Sequence, residues 1–380
     1  MKVSQRLNLF SEYAFARLAK QISLAEQKSG RKVLNLGVGS PDFPPSQRYI
    51  DKLKEYLIEP DAHMYGVYGT SLEFAEALQN WYKVRFGVAV ESDELYPLLG
   101  SKDGIGHLPL ALLDSGSEVL VPDPGYPAFS GPVAMLGAKL VYYNLTEKNG
   151  FEPDLNELKN KITADTRLVW VNFPSNPTGQ ITSLSKLESL VGLAKKHQFW
   201  IVYDNAYSEI TFEGYKAPSI LQINGAKEVA VETGSFSKTF SFAGYRMGWI
   251  VGNHQVIAAI SKVKSQLDSG MSKPLLKLGA YALNNFDRSW HKRMIKSYYE
   301  RRQILALSLK KIGLSFNLPK AGLYLWAKIP GRYKNSEQFS EELLKSKQVL
   351  LTPGTVFGKN GNRFIRASIC ANIDDISSYL

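Results

Sequence analysis

The stretch Ser235-Phe236-Ser237-Lys238-Thr239-Phe240-Ser241-Phe242-Ala243-Gly244-Tyr245-Arg246 lies between two short apolar runs, Val229-Ala230-Val231 and Trp249-Ile250-Val251, and so reads as a loop joining two strands. It sets one lysine among small hydroxyl residues, with an arginine eight positions further on. A lysine amine becomes a good nucleophile only when burial or neighbouring cations lower its pKa. Arginine grips a phosphate with its planar fork, and hydroxyls fill the remaining oxygens. A lysine able to form an imine beside a phosphate clamp points to pyridoxal phosphate. Alone, the stretch is better read as a solvated Ser/Lys loop, so the rest of the chain decides.

The chain has 380 residues, 44% of them hydrophobic and 21% charged, which is the make-up of an ordinary globular protein large enough for two domains or more. Cys370 is the single cysteine, so no internal disulfide can form and a reducing compartment fits. Charges scatter through residues 1–20, unlike a signal peptide, and no uncharged apolar run is long enough to span a bilayer. The expected location is the cytoplasm. A net charge of +11 raises the question of nucleic acid, but the 46 basic residues are dispersed, with no basic tail and no recognition motif. Attraction of small anionic substrates, or simply a soluble basic surface, explains this better.

Residues 8–30 read as an amphipathic helix carrying Phe15, Leu18, Ile22 and Ala25 on its apolar face, and a strand follows at residues 33–36. That strand runs into Gly37-Val38-Gly39-Ser40-Pro41-Asp42, where an aspartate replaces the third glycine of a dinucleotide fingerprint; a Rossmann site is not expected. Tyr65 lies in a turn-rich segment before a helix at 71–85. Leu98-Leu99-Gly100-Ser101-Lys102 is a strand end entering a helix, with Ser101 as the expected N-cap and an anion site at the helix N-terminus. A buried strand at 118–121 ends in Pro122-Asp123-Pro124-Gly125-Tyr126-Pro127, a rigid turn that presents Tyr126. The strand 168–172 meets Pro174-Ser175-Asn176-Pro177, where a cis bond before Pro177 is expected. Residues 199–203 are continuously apolar, as in a strand buried on both faces, and end at Asp204-Asn205-Ala206-Tyr207. A single helical tract is expected over 275–312, and a strand over 363–369 carries Arg363 and Arg366. Gly354-Thr355-Val356-Phe357-Gly358-Lys359 faintly resembles a phosphate loop but is one residue short and lacks the closing Ser/Thr.

Alternating strands and helices through roughly residues 95–255 predict an α/β fold with a mainly parallel sheet. Ligands of such sheets sit beyond the carboxyl ends of the strands, and Ser101, Tyr126, Asn176, Asp204, Tyr207 and Lys238 all fall there. Pyridoxal phosphate needs an acid to keep its ring nitrogen protonated, donors for its ring oxygen, an aromatic face, a phosphate cradle and an imine-forming lysine. The chain offers a candidate for each.

The ordered set Gly100-Ser101-Lys102, Pro122-to-Pro127, Asn176-Pro177-Thr178-Gly179, Asp204-Asn205-Ala206-Tyr207 and Ser235-Phe236-Ser237-Lys238 with Arg246 resembles the class I/II aminotransferases of the aspartate aminotransferase fold over nearly the whole chain. The resemblance implies a type I pyridoxal phosphate-dependent transferase fold. Its large domain, residues 46–275, would hold a mainly parallel seven-stranded sheet flanked by helices; residues 1–45 and 276–380 would form a smaller α+β domain. It also implies ping-pong transamination by a homodimer. Lys238 would be the Schiff-base lysine and proton shuttle, Asp204 the partner of the ring nitrogen, and Asn176 and Tyr207 the holders of the ring oxygen. Tyr126 would stack on the ring, while Ser101 and Lys102 (chiefly by their backbone), Ser235 and Arg246 would bind the phosphate. Tyr65 would reach the phosphate of the neighbouring subunit. Arg366 would grip the substrate α-carboxylate in a two-pronged pair, Asn176 would also contact the substrate, and Gly39 would let the substrate approach. No metal is implied.

Trp81-to-Gly87, Gly100-to-Ile105 and Asp204-to-Tyr207 further resemble LL-diaminopimelate aminotransferases and their near relatives, some of which use aspartate, methionine or aromatic amino acids. The expected reaction moves an amino group from an L-amino acid, with LL-diaminopimelate first, to a 2-oxo acid such as 2-oxoglutarate. The competing readings are a carbon–sulfur β-lyase on the same scaffold and a non-catalytic sensor, for which no residues remain to build a DNA-binding module.

Overall fold

The computed structural model describes residues 2–10, 12–67 and 69–380. After β1 (Leu34–Asn35) come β2 (Leu95–Leu98), β3 (Glu118–Asp123), β4 (Lys139–Asn144), β5 (Thr166–Asn172), β6 (Trp200–Asp204), β7 (Ala230–Ser235) and β8 (Gly248–Gly252). The strands β2 to β8 form one sheet in the order β2-β8-β7-β6-β5-β3-β4. The four pairings from β7 to β4 are parallel, and β8 is antiparallel to both of its neighbours. The continuous apolar runs explain the parallel part: Val169, Val171, Ile201 and Tyr203 enter one core, while Leu168, Trp170 and Val202 enter the core on the opposite face.

β9 (Tyr324–Lys328), β10 (Val349–Leu350), β11 (Thr352–Pro353) and β12 (Phe364–Ser368) follow. β12 lies between β11 and β9 in an antiparallel sheet, and β10 pairs in parallel with β1, tying the start of the chain to its end. A third core forms here around Trp290, Tyr298, Leu325 and Ile365, and it takes in Tyr207 and Ile210 from just beyond β6. The mainly parallel seven-stranded sheet with flanking helices and the α/β class are as expected.

Four local expectations are corrected. The lysine stretch is not all loop: Phe236–Thr239 form one helical turn, because Phe236, Phe240 and Phe242 are drawn into the core. Ser101 is not the N-cap; Gly100 holds that place with φ 88°, and Ser101 is the first residue of the helix Ser101–Leu112. The first helix begins at Ala14 rather than at residue 8. The tract 275–312 is two helices, Lys273–Asn284 and Arg288–Lys311, parted where the Asp287 side chain turns to cap Trp290 N–H and starts the second. The peptide bond before Pro177 is cis, as expected.

Candidate active site

β3, β5, β6 and β7 are parallel, so their carboxyl ends share one edge of the sheet. There Asn172, Asp204 and Thr233 are register partners on adjacent strands. The Thr233 hydroxyl donates to Asp204 Oδ1 at 3.1 Å, and Asn172 Nδ2 reaches Asp204 Oδ2 at 3.3 Å. The Asp204 carboxyl is enclosed, and burial pushes its pKa up to about 6 against the pull of Thr233 and the Ala206 N–H. A buried acid held by neutral donors is an acid ready for a cation.

Past β7 the three phenylalanines anchor the lysine turn from below and leave its small polar face upward. Ser235 Oγ accepts from Ser237 N–H at 3.2 Å and caps that turn. Lys238 donates from Nζ to Gly39 O at 2.9 Å, and burial above all, with Arg366 and Arg246 nearby, brings its pKa down to about 8. Gly39 is where the chain cannot carry a side chain, since a Cβ would lie 2.0 Å from the Tyr324 hydroxyl. Arg246, in the left-handed region at φ 56°, folds back so that Nη1 donates to Ala243 O at 2.9 Å. On β12 Arg366 is 1% exposed and donates from Nη1 to Asn176 Oδ1 at 2.7 Å and from Nη2 to Gly37 O.

A cavity of about 350 Å³ gathers these groups. Ser101, Lys102, Tyr126, Asn176, Asp204, Tyr207, Ser235, Lys238, Arg246, Arg366 and Gly39 all line it. Tyr65 does not; its side chain stands in solvent, 79% exposed. The walls also contain Tyr13, Phe15 and Tyr324. The Tyr324 hydroxyl is 3.2 Å from that of Tyr207, and the Tyr13 hydroxyl is 3.4 Å from that of Tyr126. Burial holds the phenols of Tyr126, Tyr207 and Tyr324 well on the protonated side, so each remains a donor. Phe15 reads in sequence as a core position of a helix, and only its convergence with Tyr324 on Arg366 marks the two out.

The first N–H groups of the helix Ser101–Leu112 lack partners within the helix and, with Ser235 and Arg246, line the same cavity, which makes an anion cradle. Chemically the pocket offers an amine that is partly neutral near neutral pH, a buried acid, phenol donors, and an arginine facing away from any acid of its own.

The chain matches the family described as aminotransferase class I and II over residues 31–376. It belongs to that family. It is 36% identical to the LL-diaminopimelate aminotransferase of Halothermothrix orenii, covering 100% of this chain and 97% of that one. It is 37% identical to the enzyme of the same name from Aquifex aeolicus, covering 96% and 94%. Among solved structures, apo-BacF from Bacillus subtilis superposes with a TM-score of 0.94 at 32% identity, over 100% of this chain and 97% of that one. A probable N-succinyldiaminopimelate aminotransferase from Thermus thermophilus gives 0.89 at 30% identity, over 96% and 97%. The chain is an aminotransferase, an enzyme of amino-group transfer with the fold of its class.

Proposed function

We propose that the pocket holds pyridoxal phosphate and that the enzyme carries the amino group of LL-diaminopimelate to a 2-oxo acid such as 2-oxoglutarate. When bound, that cofactor supplies the electron sink on which an amino-acid Cα–H bond can break. The residues fit it. Asp204 supplies the carboxylate for a ring N–H, which answers the cation its burial calls for. The helix N-terminus at Ser101 and Lys102, with Ser235 and Arg246, takes the phosphate. Asn176 and Tyr207 donate to the ring oxygen, and Tyr126 covers the ring. Lys238 holds the aldehyde and afterwards carries the substrate α-proton on Nζ. Arg366 takes the α-carboxylate in a two-pronged pair.

The cavity's charge suits an anionic ligand and substrate: among the described residues, Lys102, Lys238, Arg246 and Arg366 line it against one acid, Asp204. A phosphate, with close to two negative charges, and an α-carboxylate would balance three of these cations. The choice of LL-diaminopimelate is carried by the relatives of that name, 36% and 37% identical over nearly the whole chain. Residues 46–275 form the large domain of this reading, and residues 1–45 with 276–380 the small one. The enzyme works as a cytoplasmic homodimer, in which the exposed Tyr65, with Ile58, Met64 and Val67 exposed around it, meets the neighbouring subunit.

The test is the visible absorption of the purified protein as amino acids are added singly, followed by identification of the oxo-acid product. Bleaching by LL-diaminopimelate with formation of its 2-oxo product is the expected result. Bleaching only by methionine or aromatic amino acids would move the substrate while keeping the cofactor. Homocysteine, pyruvate and ammonia from cystathionine without an oxo-acid acceptor would make the protein a β-lyase. No chromophore, even with added pyridoxal phosphate, would remove the cofactor reading.

A further inference from the structure

A guanidinium that is to receive a substrate carboxylate must stay charged in the interior without an acid of its own. The arginines that form ion pairs among the described residues are Arg85, Arg301 and Arg302. Arg366 bonds instead to neutral oxygens and lies within three aromatic faces: Tyr324 at 4.0 Å, Phe357 at 4.6 Å and Phe15 at 5.1 Å. Ring faces stabilise a buried cation without neutralising its fork.

Phe357 comes from the segment whose sequence faintly resembles a phosphate loop, and the backbone just beyond it does bind an anion. Lys359 N–H donates to Asp123 Oδ2 at 3.1 Å, and Asn360 N–H to Oδ1 at 3.0 Å. The Asn360 amide donates to Asp123 O at 3.0 Å, and Gly125 N–H closes the clasp on Phe357 O at 2.8 Å. Gly358, at φ 140°, is required here because a Cβ would lie 2.1 Å from Asp123 Oδ1. Asp123 is the last residue of β3 and 6% exposed; burial raises its pKa, and the two N–H groups pull it back.

We infer that Asp123 is a positioning residue for the substrate-carboxylate grip: by fastening residues 357–360 to the end of β3, it holds the Phe357 ring against Arg366. This rests on the reading of Arg366 as the α-carboxylate site. Asp123→Asn keeps the shape but turns one acceptor into a donor facing an N–H. Phe357→Leu leaves Asp123 alone and removes only the ring face.

Both variants, checked for unchanged melting behaviour and cofactor absorption, are assayed for kcat and KM and titrated by NMR with propionate and its neutral counterpart propionamide. Expected is a rise in amino-acid KM of about tenfold, the size of one desolvated cation–π contact, with kcat within about twofold. Propionate affinity should fall in step while propionamide affinity stays. Arg366→Leu is the control. If it abolishes the preference for propionate while Asp123→Asn and Phe357→Leu keep it whole, the inference fails and the site reading stands. If Arg366→Leu itself keeps the preference, both fall. Equal losses for propionate and propionamide in the two variants would mean general disorder of the pocket and would also overturn the inference.

Discussion

Lys238 sits in an environment unlike that of a surface lysine, and the consequence is measurable without any substrate. Burial, with Arg366 and Arg246 adding to it and Cys370 opposing, brings its pKa from 10.5 to about 8. The neutral amine is therefore available at a pH where exposed lysines are almost wholly charged. Reductive alkylation of the cofactor-free protein by a small aldehyde, mapped by mass spectrometry, should label Lys238 with a half-maximal rate near pH 8, well below the surface lysines. A Lys238 profile that tracks the surface set would show that the amine is not desolvated. Replacement by alanine should lower transamination by at least about a thousandfold, since the proposed nucleophile and proton carrier are lost together. Residues of this kind were legible from sequence because each has chemistry ordinary packing does not need and falls at a strand end. Tyr13, Phe15 and Tyr324 were not legible, since an aromatic residue that shapes a pocket and one that fills a core look alike in sequence.

On β7 the same alternation that turns Thr233 toward Asp204 turns Glu232 to the other face of the sheet. Glu232 is 2% exposed and accepts from the Tyr82 hydroxyl at 2.9 Å, Ser219 Oγ at 2.6 Å, Asn205 Nδ2 at 3.3 Å and Ile220 N–H at 3.1 Å. Through the bond from Asn205 Nδ2, Glu232 holds Asn205, between Asp204 and Tyr207, from behind. Burial raises the Glu232 pKa from 4.5 to about 7 despite them. A folded state that holds this proton more tightly than the unfolded chain gains stability that is complete below the unfolded pKa and lost as pH rises through about 7. For a fully enclosed group the difference between pH 4 and pH 8 is about 3 kcal/mol. Glu232→Gln cannot satisfy four donors and should be less stable than the parent at pH 5, by about 1–3 kcal/mol, with the gap narrowing toward pH 8. Denaturant unfolding at the two pH values, with cofactor content matched, checks this; a gap that stays the same at both would mean that Glu232 is ionised throughout. The strands of this sheet were readable from their apolar runs. Gly100 as cap and the break before Asp287 were not, because there the packing of a neighbouring element decides between near-equal local choices.

The pocket as a whole joins the seven-stranded sheet to both ends of the chain. Lys238 meets Gly39 at 2.9 Å, Asn176 meets Arg366 at 2.7 Å, Tyr207 meets Tyr324 at 3.2 Å, and Tyr126 meets Tyr13 at 3.4 Å. Each bond links residues 46–275 to the flanking segments, and no motif announces any of them, since the Tyr13–Tyr126 pair alone spans 113 positions. On the proposed reading these are also the groups a substrate engages: Lys238 would leave the Gly39 carbonyl, and the Arg366 fork would turn toward a carboxylate. Exchanging these bonds for bonds to one bound molecule lets the flanking segments settle onto the sheet and exclude water from the reacting carbon. Saturation of the cofactor-loaded enzyme with its amino-acid substrate should therefore slow amide exchange in the helix Ala14–Ser29 by about tenfold or more, because Phe15 at its start packs on Arg366. A free and a substrate-bound crystal form should differ by rotation of the two flanking segments as one body, since β1 and β10 tie them together. Unchanged exchange, with the two forms superposing throughout, would mean that Arg366 and Lys238 work from a rigid pocket and that water is shut out by the substrate alone.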